Sequence, residues 1–137
     1  MKTVLITGAN RGLGLEFVKQ YATDGWQVIA CSRQPRTAEA LRALAKQYPT
    51  IQLENLDVLD FTQIDALADK LAGQSIDVLI NNAGVYGDEK GRGLGHLDYS
   101  AWINTLIINT QAPVKMTEAF LPHLKTGTGK LIANVIS

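Results

Sequence analysis

Glycines in one short segment have the spacing of a phosphate-binding loop. The segment Thr7–Gly14 reads Thr-Gly-Ala-Asn-Arg-Gly-Leu-Gly and directly follows the apolar run Val4–Ile6. Gly8 lets the chain turn off the strand, Gly12 lets a diphosphate approach the backbone, and Gly14 lets the next helix lie close to the sheet. That helix presents unpaired N–H groups and the positive end of its dipole. The segment predicts a phosphorylated ligand, although a glycine turn of purely steric origin has the same composition.

Two other apolar segments also end in short stretches that contain polar residues. Asn81–Gly84 read Asn-Asn-Ala-Gly and follow Ile76–Ile80, whereas Asp57 and Val58 end the segment that begins at Ile51. Asn and Gly favour turns in any fold, and a lone Asp at a strand end can simply cap a loop. Their combination with the glycine-rich loop is what indicates a shared binding site.

Charge at the end of the second apolar segment indicates which nucleotide would fit. Loops that bind NAD have an Asp or Glu about 20 residues further on, which accepts from the ribose 2′-hydroxyl. Here the segment ends Cys31-Ser32-Arg33 without an acid. A guanidinium group binds a 2′-phosphate, which a carboxylate would repel. Arg33 and the missing acid therefore favour NADP(H), although Arg33 would also suit a solvated surface.

Apolar runs alternate with helical patterns along the chain, and these elements must position the loops. Strands are predicted at Val4–Ile6, Trp26–Cys31, Ile51–Val58, Ile76–Ile80 and Lys130–Ile136. Helices are predicted from the glycine loop to Asp24, from Pro35 to Tyr48, from Asp60 to Gly73, and roughly from Ser100 to Leu124. The inner face of the first helix is predicted to hold Leu13, Phe17, Val18, Tyr21 and Ala22. The glycine-rich, charged segment Val85–Leu97 is predicted to be an exposed loop.

This alternation is typical of an α/β fold with a parallel sheet covered by helices on both faces. With the strand order of a doubly wound Rossmann fold, the strands lie 3-2-1-4-5 in one three-layer domain over residues 1–137. The switch point then falls between the first and fourth strands. The glycine loop and Asn81–Gly84 would therefore flank one crevice.

Bulk composition excludes several classes of function. Thirteen basic and thirteen acidic residues cancel, which argues against nucleic acid or an acidic membrane surface as partner. No apolar run approaches the roughly 18 residues of a membrane span, and the N-terminus has no signal-peptide pattern. The only cysteine, Cys31, fits a reducing compartment and a buried apolar position. We expect a soluble cytoplasmic domain without a metal site.

The motifs at Gly8–Gly14 and Asn81–Gly84 resemble those of the short-chain dehydrogenase/reductase family. The resemblance covers all 137 residues but only about the first half of a full member, so the family's later strands are missing. It implies that Asn82, Ala83 and Gly84 line the adenosine side of the cofactor, and that Asp57 and Val58 contact adenine. The remaining loop residues of the implied cofactor site are Gly8, Asn10, Arg11, Gly12, Leu13 and Gly14, with Arg33 at the 2′-phosphate. Arg11 directly precedes a loop glycine and matches a basic position that the family associates with NADP, so the two arginines together favour NADP(H), although each alone would also suit a solvated surface.

Two further positions carry catalytic roles by the same resemblance. Pro113 lacks the N–H that would bond the carbonyl of Asn109 in a regular helix. The family has an Asn in this context whose carbonyl holds a water in a proton relay, although Pro113 could equally mark a simple kink. Ser137 corresponds to the family's catalytic Ser, which positions the substrate oxygen. Ile136 replaces a serine that often precedes it.

The family's general acid, a Tyr followed four residues later by a Lys, is expected about a dozen residues beyond Ser137, where this sequence has ended. Tyr86 and Lys90 have that spacing, but they lie in the loop after Asn81–Gly84, and we do not assign them this role. His96 and His123 are interpreted as a loop residue and a helix-end residue.

Our leading hypothesis is an NADP(H)-dependent oxidoreductase that reduces a carbonyl or oxidises an alcohol, with this chain as its cofactor-binding half. Asn109–Leu124 and Val85–Leu97 resemble the C-factor and sniffer-like carbonyl reductases. The alternatives are a non-catalytic nucleotide-binding or signalling module and, less consistent with Asn81–Gly84, a methyltransferase. The resemblance also implies a homo-oligomer.

Overall fold

A five-stranded parallel sheet lies at the centre of the computed structural model, which describes residues 1–35, 38–84 and 94–135. The strands are β1 Thr3–Ile6, β2 Gln27–Ser32, β3 Ile51–Asn55, β4 Val78–Asn81 and β5 Leu131–Asn134. Their order is β3-β2-β1-β4-β5, which confirms the predicted Rossmann-type topology. The first and fourth strands are therefore neighbours, with Ile6 in register with Ile80.

Helices cover both faces of the sheet. They are α1 Gly12–Thr23, α2 Glu39–Gln47, α3 Phe61–Lys70, α4 Tyr99–Leu106 and α5 Ala112–Thr126, with a π-helical segment at Ile107–Gln111. Because successive side chains of a strand point to opposite faces, β1 contributes to two cores. Val4 and Ile6 pack with α1 and α2, whereas Leu5 packs with α3 and α5.

Several predicted boundaries were wrong. The third strand ends at Asn55, although Leu56 and Val58 beyond it are buried. The second helix begins at Glu39. In the first helix the side chain of Leu13 is 60% exposed, because it lies in the first turn, whereas Val18 and Ala22 further along the helix pack on the sheet.

The predicted long helix is present, but its hydrogen bonding changes near the middle. Its α-helical hydrogen bonding stops at Leu106, and the wider π segment occupies Ile107–Gln111 before α5 begins. The N–H of Ala112 bonds the carbonyl of Ile107, five residues back. Pro113 then lies in the first turn of α5, where its missing N–H costs little. The extra residue per turn is thus how the chain accommodates this proline.

Apolar side chains are exposed on α4 and on β5. No residue of α4 is buried, and the exposed Leu131 and Ile132 lie on β5, which is at the sheet edge as the predicted strand order requires. Of the helices in the described ranges, none combines the length and apolar character needed to span a membrane.

Candidate functional site

The hydroxyl of Thr7 joins the two loops that follow β1 and β4. Its Oγ1 accepts the backbone N–H groups of Asn82 and Ala83, both at 3.0 Å. A third hydrogen bond joins the same loops, because Nδ2 of Asn82 donates to the carbonyl of Gly8 at 3.1 Å. Thr7 is itself buried. The glycine loop and the Asn-Asn-Ala-Gly loop therefore form one connected rim, as the sequence predicted.

Close backbone approach explains two of the three loop glycines. A Cβ on Gly14 would lie 2.0 Å from the carbonyl oxygen of Gly8 and 2.6 Å from Nδ2 of Asn82. A Cβ on Gly8 would lie 2.9 Å from Cα of Ala83, and its φ of +61° already favours glycine. No side chain fits at either position unless the backbone moves. The rim depends on glycine at both places.

Gly12 has a different environment. Its φ is +56°, and a Cβ there would meet no heavy atom within 4 Å among the described residues. It begins α1, whose N-cap Arg11 makes no side-chain capping bond and whose first turn has no acidic residue. By contrast, α3 and α4 are capped by Asp60 and Asp98. The N-terminus of α1 therefore offers backbone donors and dipole charge to an anion.

Neighbouring strand ends place other predicted residues around this rim. Asn81 donates from Nδ2 to Oδ1 of Asn134 at 2.9 Å, which joins β4 to β5. Gly84 is exposed, and the Oδ1 of Asn109 on the π segment lies 3.3 Å from where its Cβ would be. The structure thus brings Asn109 to the Asn-Asn-Ala-Gly loop. Ser137 lies outside the described residues, as do Tyr86 and Lys90.

A cleft opens where β3 leads into α3. Asp57 and Asp60 line it together with Ile107 and Gln111, and its volume is about 520 Å³. Asp57 is half-buried, whereas Val58 is buried in the core against α3. Only the first of the predicted adenine-contacting pair therefore lines open space.

The predicted 2′-phosphate residues lie on two segments, one after β2 and one before α1. Arg33 is exposed directly after the strand, and Arg11 is exposed before α1. A main-chain hydrogen bond joins the glycine loop to the end of β2, because the N–H of Ala9 donates to the carbonyl of Cys31 at 3.0 Å. Ser32, next to Arg33, is buried, and its hydroxyl has no partner in the described part of the chain. Asn10 and Leu13 are exposed in the same loop.

Two reactive residue types lie away from the rim and have structural surroundings. Cys31 is buried, and burial raises the pKa of its thiol, with Glu54 adding to the rise, so it stays protonated. His123 is buried in the last turn of α5, with Nε2 3.0 Å from the carbonyl of Ala68 and its ring against Phe120. Across residues 1–35, 38–84 and 94–135, no three His, Cys, Asp or Glu side chains group as metal ligands.

Sequence reasoning missed two polar side chains that fix the site. Thr7 was recognised only as the residue preceding the glycines, although a hydroxyl at a strand end is able to accept from a neighbouring loop. Gln63 was not singled out, yet its Oε1 accepts the N–H of Asp57 at 2.9 Å. The available signal was the spacing Asp60-x-x-Gln63, which is typical of a helix capping box.

Comparison with known proteins gives one consistent result. Residues 2–137 match the short chain dehydrogenase family. The chain is similar to (+)-neomenthol dehydrogenase of Arabidopsis thaliana, with 33% identity over 97% of this chain and 52% of that protein. The chain spans about half the length of the curated relatives it matches.

Solved structures agree with this result. A short-chain dehydrogenase/reductase from Burkholderia multivorans with bound NADP superposes with a TM-score of 0.87, 30% identity, and coverage of 99% of this chain and 58% of that one. A carbonyl reductase from Pseudomonas aeruginosa PAO1 also gives 0.87, with 28% identity and coverage of 100% and 60%.

Proposed function

The chain belongs to the short-chain dehydrogenase/reductase family, and from this premise we propose that it is the NADP(H)-binding half of an oxidoreductase that reduces a carbonyl by hydride transfer. One observation carries the proposal. Thr7 holds the glycine loop against the Asn-Asn-Ala-Gly loop, directly beside the uncapped N-terminus of α1. A dinucleotide diphosphate needs such a site, where backbone donors converge and no side chain blocks their approach.

The residues of the rim fit this cofactor. Gly12 leaves the first turn of α1 open to the diphosphate. Arg33 and Arg11 supply positive charge for a 2′-phosphate, and the buried hydroxyl of Ser32 beside Arg33 lacks a partner among the described residues. Asp57 lines the cleft proposed for adenine. The related Burkholderia multivorans protein was crystallised with NADP, which supports this choice of cofactor.

When bound, the nicotinamide would supply the hydride. The chain's own part is to bind and orient. Asn109, next to Gly84, would hold a water of the proton relay, and Ser137 would position the substrate oxygen, both by family resemblance. The substrate would be a small carbonyl or alcohol compound, and the narrower assignment to C-factor or sniffer-like reductases stays a prediction. So do a cytoplasmic location and a homo-oligomer.

Cofactor preference tests the proposal directly. We expect the 137-residue chain to bind NADPH more tightly than NADH in a fluorescence titration. Arg33→Ala should weaken NADPH binding by about 10- to 100-fold, because charge-assisted hydrogen bonds to the 2′-phosphate are lost. NADH binding should be unchanged, since NADH has a hydroxyl in place of that phosphate.

Arg42→Ala is the matched control, because Arg42 is also an exposed arginine but lies on α2. It should leave both dissociation constants unchanged. Failure of the unaltered chain to bind NADPH would refute the proposal, and tighter binding of NADH would refute its cofactor.

Turnover separates the enzyme from a nucleotide-binding module. The only Tyr-x-x-x-Lys in this sequence is the pair Tyr86 and Lys90, to which we assign no catalytic role. We therefore expect the 137-residue chain to bind NADPH without consuming it when an aldehyde or quinone is added. Consumption of NADPH by this chain alone would show that our rejection of Tyr86 and Lys90 was wrong.

A further inference from the structure

We propose that Gln63 is a positioning residue for adenine recognition, because its side-chain amide fixes Asp57 so that one carboxylate oxygen is available to the adenine 6-amino group. This inference rests on the proposed NADP(H) site. Gln63 lies on α3 and would not itself touch the cofactor. Its effect would pass through a main-chain hydrogen bond to Asp57.

The backbone at Asp57 needs support, because β3 has already ended. The last bond that joins this segment to the sheet runs from the N–H of Leu56 to the carbonyl of Ser32 at 2.9 Å. The next N–H, that of Asp57, donates instead to Oε1 of Gln63 at 2.9 Å. Gln63 precedes Ile64, which is fully buried in the core. The acceptor for Asp57 is therefore anchored through α3.

The orientation of the Gln63 amide is determined by two contacts. Its Oε1 accepts from Asp57, and its Nε2 donates to Oδ2 of Asp60 at 3.3 Å. A flipped amide would place a donor against the N–H of Asp57 and an acceptor against the Asp60 carboxylate. Asp60 is fixed in turn, since its Oδ1 accepts from the N–H and the hydroxyl of Thr62. The cap of α3 and the position of Asp57 thus form one network.

Among the described residues, only one of the two carboxylate oxygens of Asp57 accepts a hydrogen bond. Its Oδ1 accepts the N–H of Leu59 at 3.0 Å, which fixes the side-chain rotation. None of the described residues donates to its Oδ2. Because Asp57 lines the 520 Å³ cleft, this second oxygen is placed to accept from an amino group there. Adenine has such a group at position 6, whereas hypoxanthine has a carbonyl oxygen that a carboxylate would repel.

Selectivity between these two bases is the measurement that tests the inference. The probes are 2′,5′-ADP and inosine 2′,5′-bisphosphate, titrated calorimetrically into the 137-residue chain. The unaltered chain should prefer the adenine compound by about tenfold, the value of one hydrogen bond to a charged group. Gln63→Leu should weaken 2′,5′-ADP binding by about tenfold and reduce the preference to less than about threefold. Gln47→Leu, at an exposed glutamine on α2, should change neither value.

A rescue variant distinguishes positioning from folding. Gln63→Glu keeps an acceptor for Asp57 but places a negative charge beside Asp60, so it should also lose selectivity. Adding Asp60→Asn places an amide N–H at position 60 that can donate to the new carboxylate at position 63, so the bond between the two side chains is restored in the opposite direction. Asparagine is also a good N-cap residue. The double variant Asp60→Asn/Gln63→Glu should regain the preference for adenine. Circular dichroism checks the fold of each variant, and the rescue comparison applies even if Gln63→Leu does not fold.

The outcomes separate the two proposals. No binding of 2′,5′-ADP by the unaltered chain would overturn the proposed function and this inference together. Normal binding with an unchanged base preference in folded Gln63→Leu would overturn this inference alone. So would a folded double variant with no more selectivity than Gln63→Glu.

Discussion

The two ends of the parallel sheet join β1 to β4 in similar ways but with different chemistry. At the carboxyl end, the neutral hydroxyl of Thr7 accepts two backbone N–H groups from the loop after β4. At the amino end, the carboxylate of Asp77, just before β4, accepts three backbone N–H groups, from Thr3, Thr128 and Gly129. Both side chains are buried.

The surroundings of these two connections between β1 and β4 differ more than their hydrogen bonds do. At the amino end a Cβ on Gly127 would lie 2.2 Å from the carbonyl of Ile76, and one on Gly129 would lie 2.7 Å from that of Asp77. At the carboxyl end a Cβ on Gly14 would lie 2.0 Å from the carbonyl of Gly8, but Gly12 has space around it among the described residues and α1 has no side-chain cap. Glycine crowding alone therefore does not identify a binding site. Open backbone donors beside the crowded glycines do.

This comparison predicts that changes at both ends destabilise the fold, whereas only changes at the carboxyl end alter cofactor binding. Gly14→Ala should have the largest effect. Its Cβ would contact the carbonyl of Gly8, a backbone atom that cannot rotate away, so we expect a loss of at least about 3 kcal/mol in the free energy of unfolding and loss of NADPH binding. Urea unfolding followed by circular dichroism measures the first, and fluorescence titration the second.

Two control variants separate the causes. Gly127→Ala has a comparable clash at the amino end and should destabilise the chain while the folded fraction keeps its affinity for NADPH. Gly25→Ala has open space among the described residues and a φ of +83°, so it should cost only the left-handed strain of about 1–2 kcal/mol. If Gly14→Ala were no less stable than Gly25→Ala, the close approach of the two loops would be refuted.

Asp77 should make the amino end sensitive to acid. The N–H of Thr3, followed by those of Thr128 and Gly129, lowers the pKa of Asp77 to about 2. Because the folded pKa lies below the unfolded value of about 3.9, this group stabilises the fold above pH 4, and the contribution disappears as the pH falls from about 4 to about 2. Asp77→Asn replaces the carboxylate by an amide whose Nδ2 cannot accept the N–H of Thr3, so the variant should be less stable than the unaltered chain at every pH. The loss should be about 2 kcal/mol larger at pH 7 than at pH 2, because only the unaltered chain loses a carboxylate charge at this position as the pH falls.

The measurement is the free energy of unfolding of Asp77→Asn and of the unaltered chain, each from pH 2 to pH 7. Asp24→Asn is the control, since Asp24 is an exposed carboxylate at the end of α1. A pH-independent gap between Asp77→Asn and the unaltered chain would mean that the charge of Asp77 is not what holds this end. NADPH affinity at pH 7 should not change in either variant.

Much of the fold could be predicted from the sequence because the strands are short, apolar and separated by regular helices. The strand order 3-2-1-4-5 was taken from the Rossmann topology that this alternation suggests, and it placed Gly8–Gly14 and Asn81–Gly84 at the ends of adjacent strands. The predictions failed where a local rule was overridden. The helix from Ser100 widened into a π segment, because Pro113 is tolerated in a first turn and not in the middle of a regular helix.

The site was predicted less completely than the fold. Glycine positions follow from local backbone needs, so sequence spacing reveals them. The partner of Thr7 does not, because Asn82 is far away in sequence and meets it only through the fold. The partner of Asp57 is local, and its only signal in the sequence was the spacing Asp60-x-x-Gln63. Val58 stays a prediction for the cofactor site: its side chain is buried in the core, whereas its neighbour Asp57 lines the cleft.

The smallest expected effect comes from Thr7→Val, which removes the hydroxyl at nearly constant volume. The N–H groups of Asn82 and Ala83 would lose their acceptor, but both residues are only half-buried, so water can replace part of the bonding. We expect a loss of about 1 kcal/mol in the free energy of unfolding. The two loops would also be held less firmly, so NADPH binding should weaken by several-fold, about 0.5–1 kcal/mol.

Two companion variants make this small effect interpretable. Thr7→Ser keeps the acceptor and should bind NADPH as the unaltered chain does, while losing some stability through its missing methyl group. Thr3→Val lies at the other end of β1, where only the backbone N–H of Thr3 bonds Asp77, so affinity should not change. Equal NADPH affinity in Thr7→Val and Thr7→Ser would show that the hydroxyl stabilises the sheet without shaping the site. The two ends of β1 would then differ only in charge.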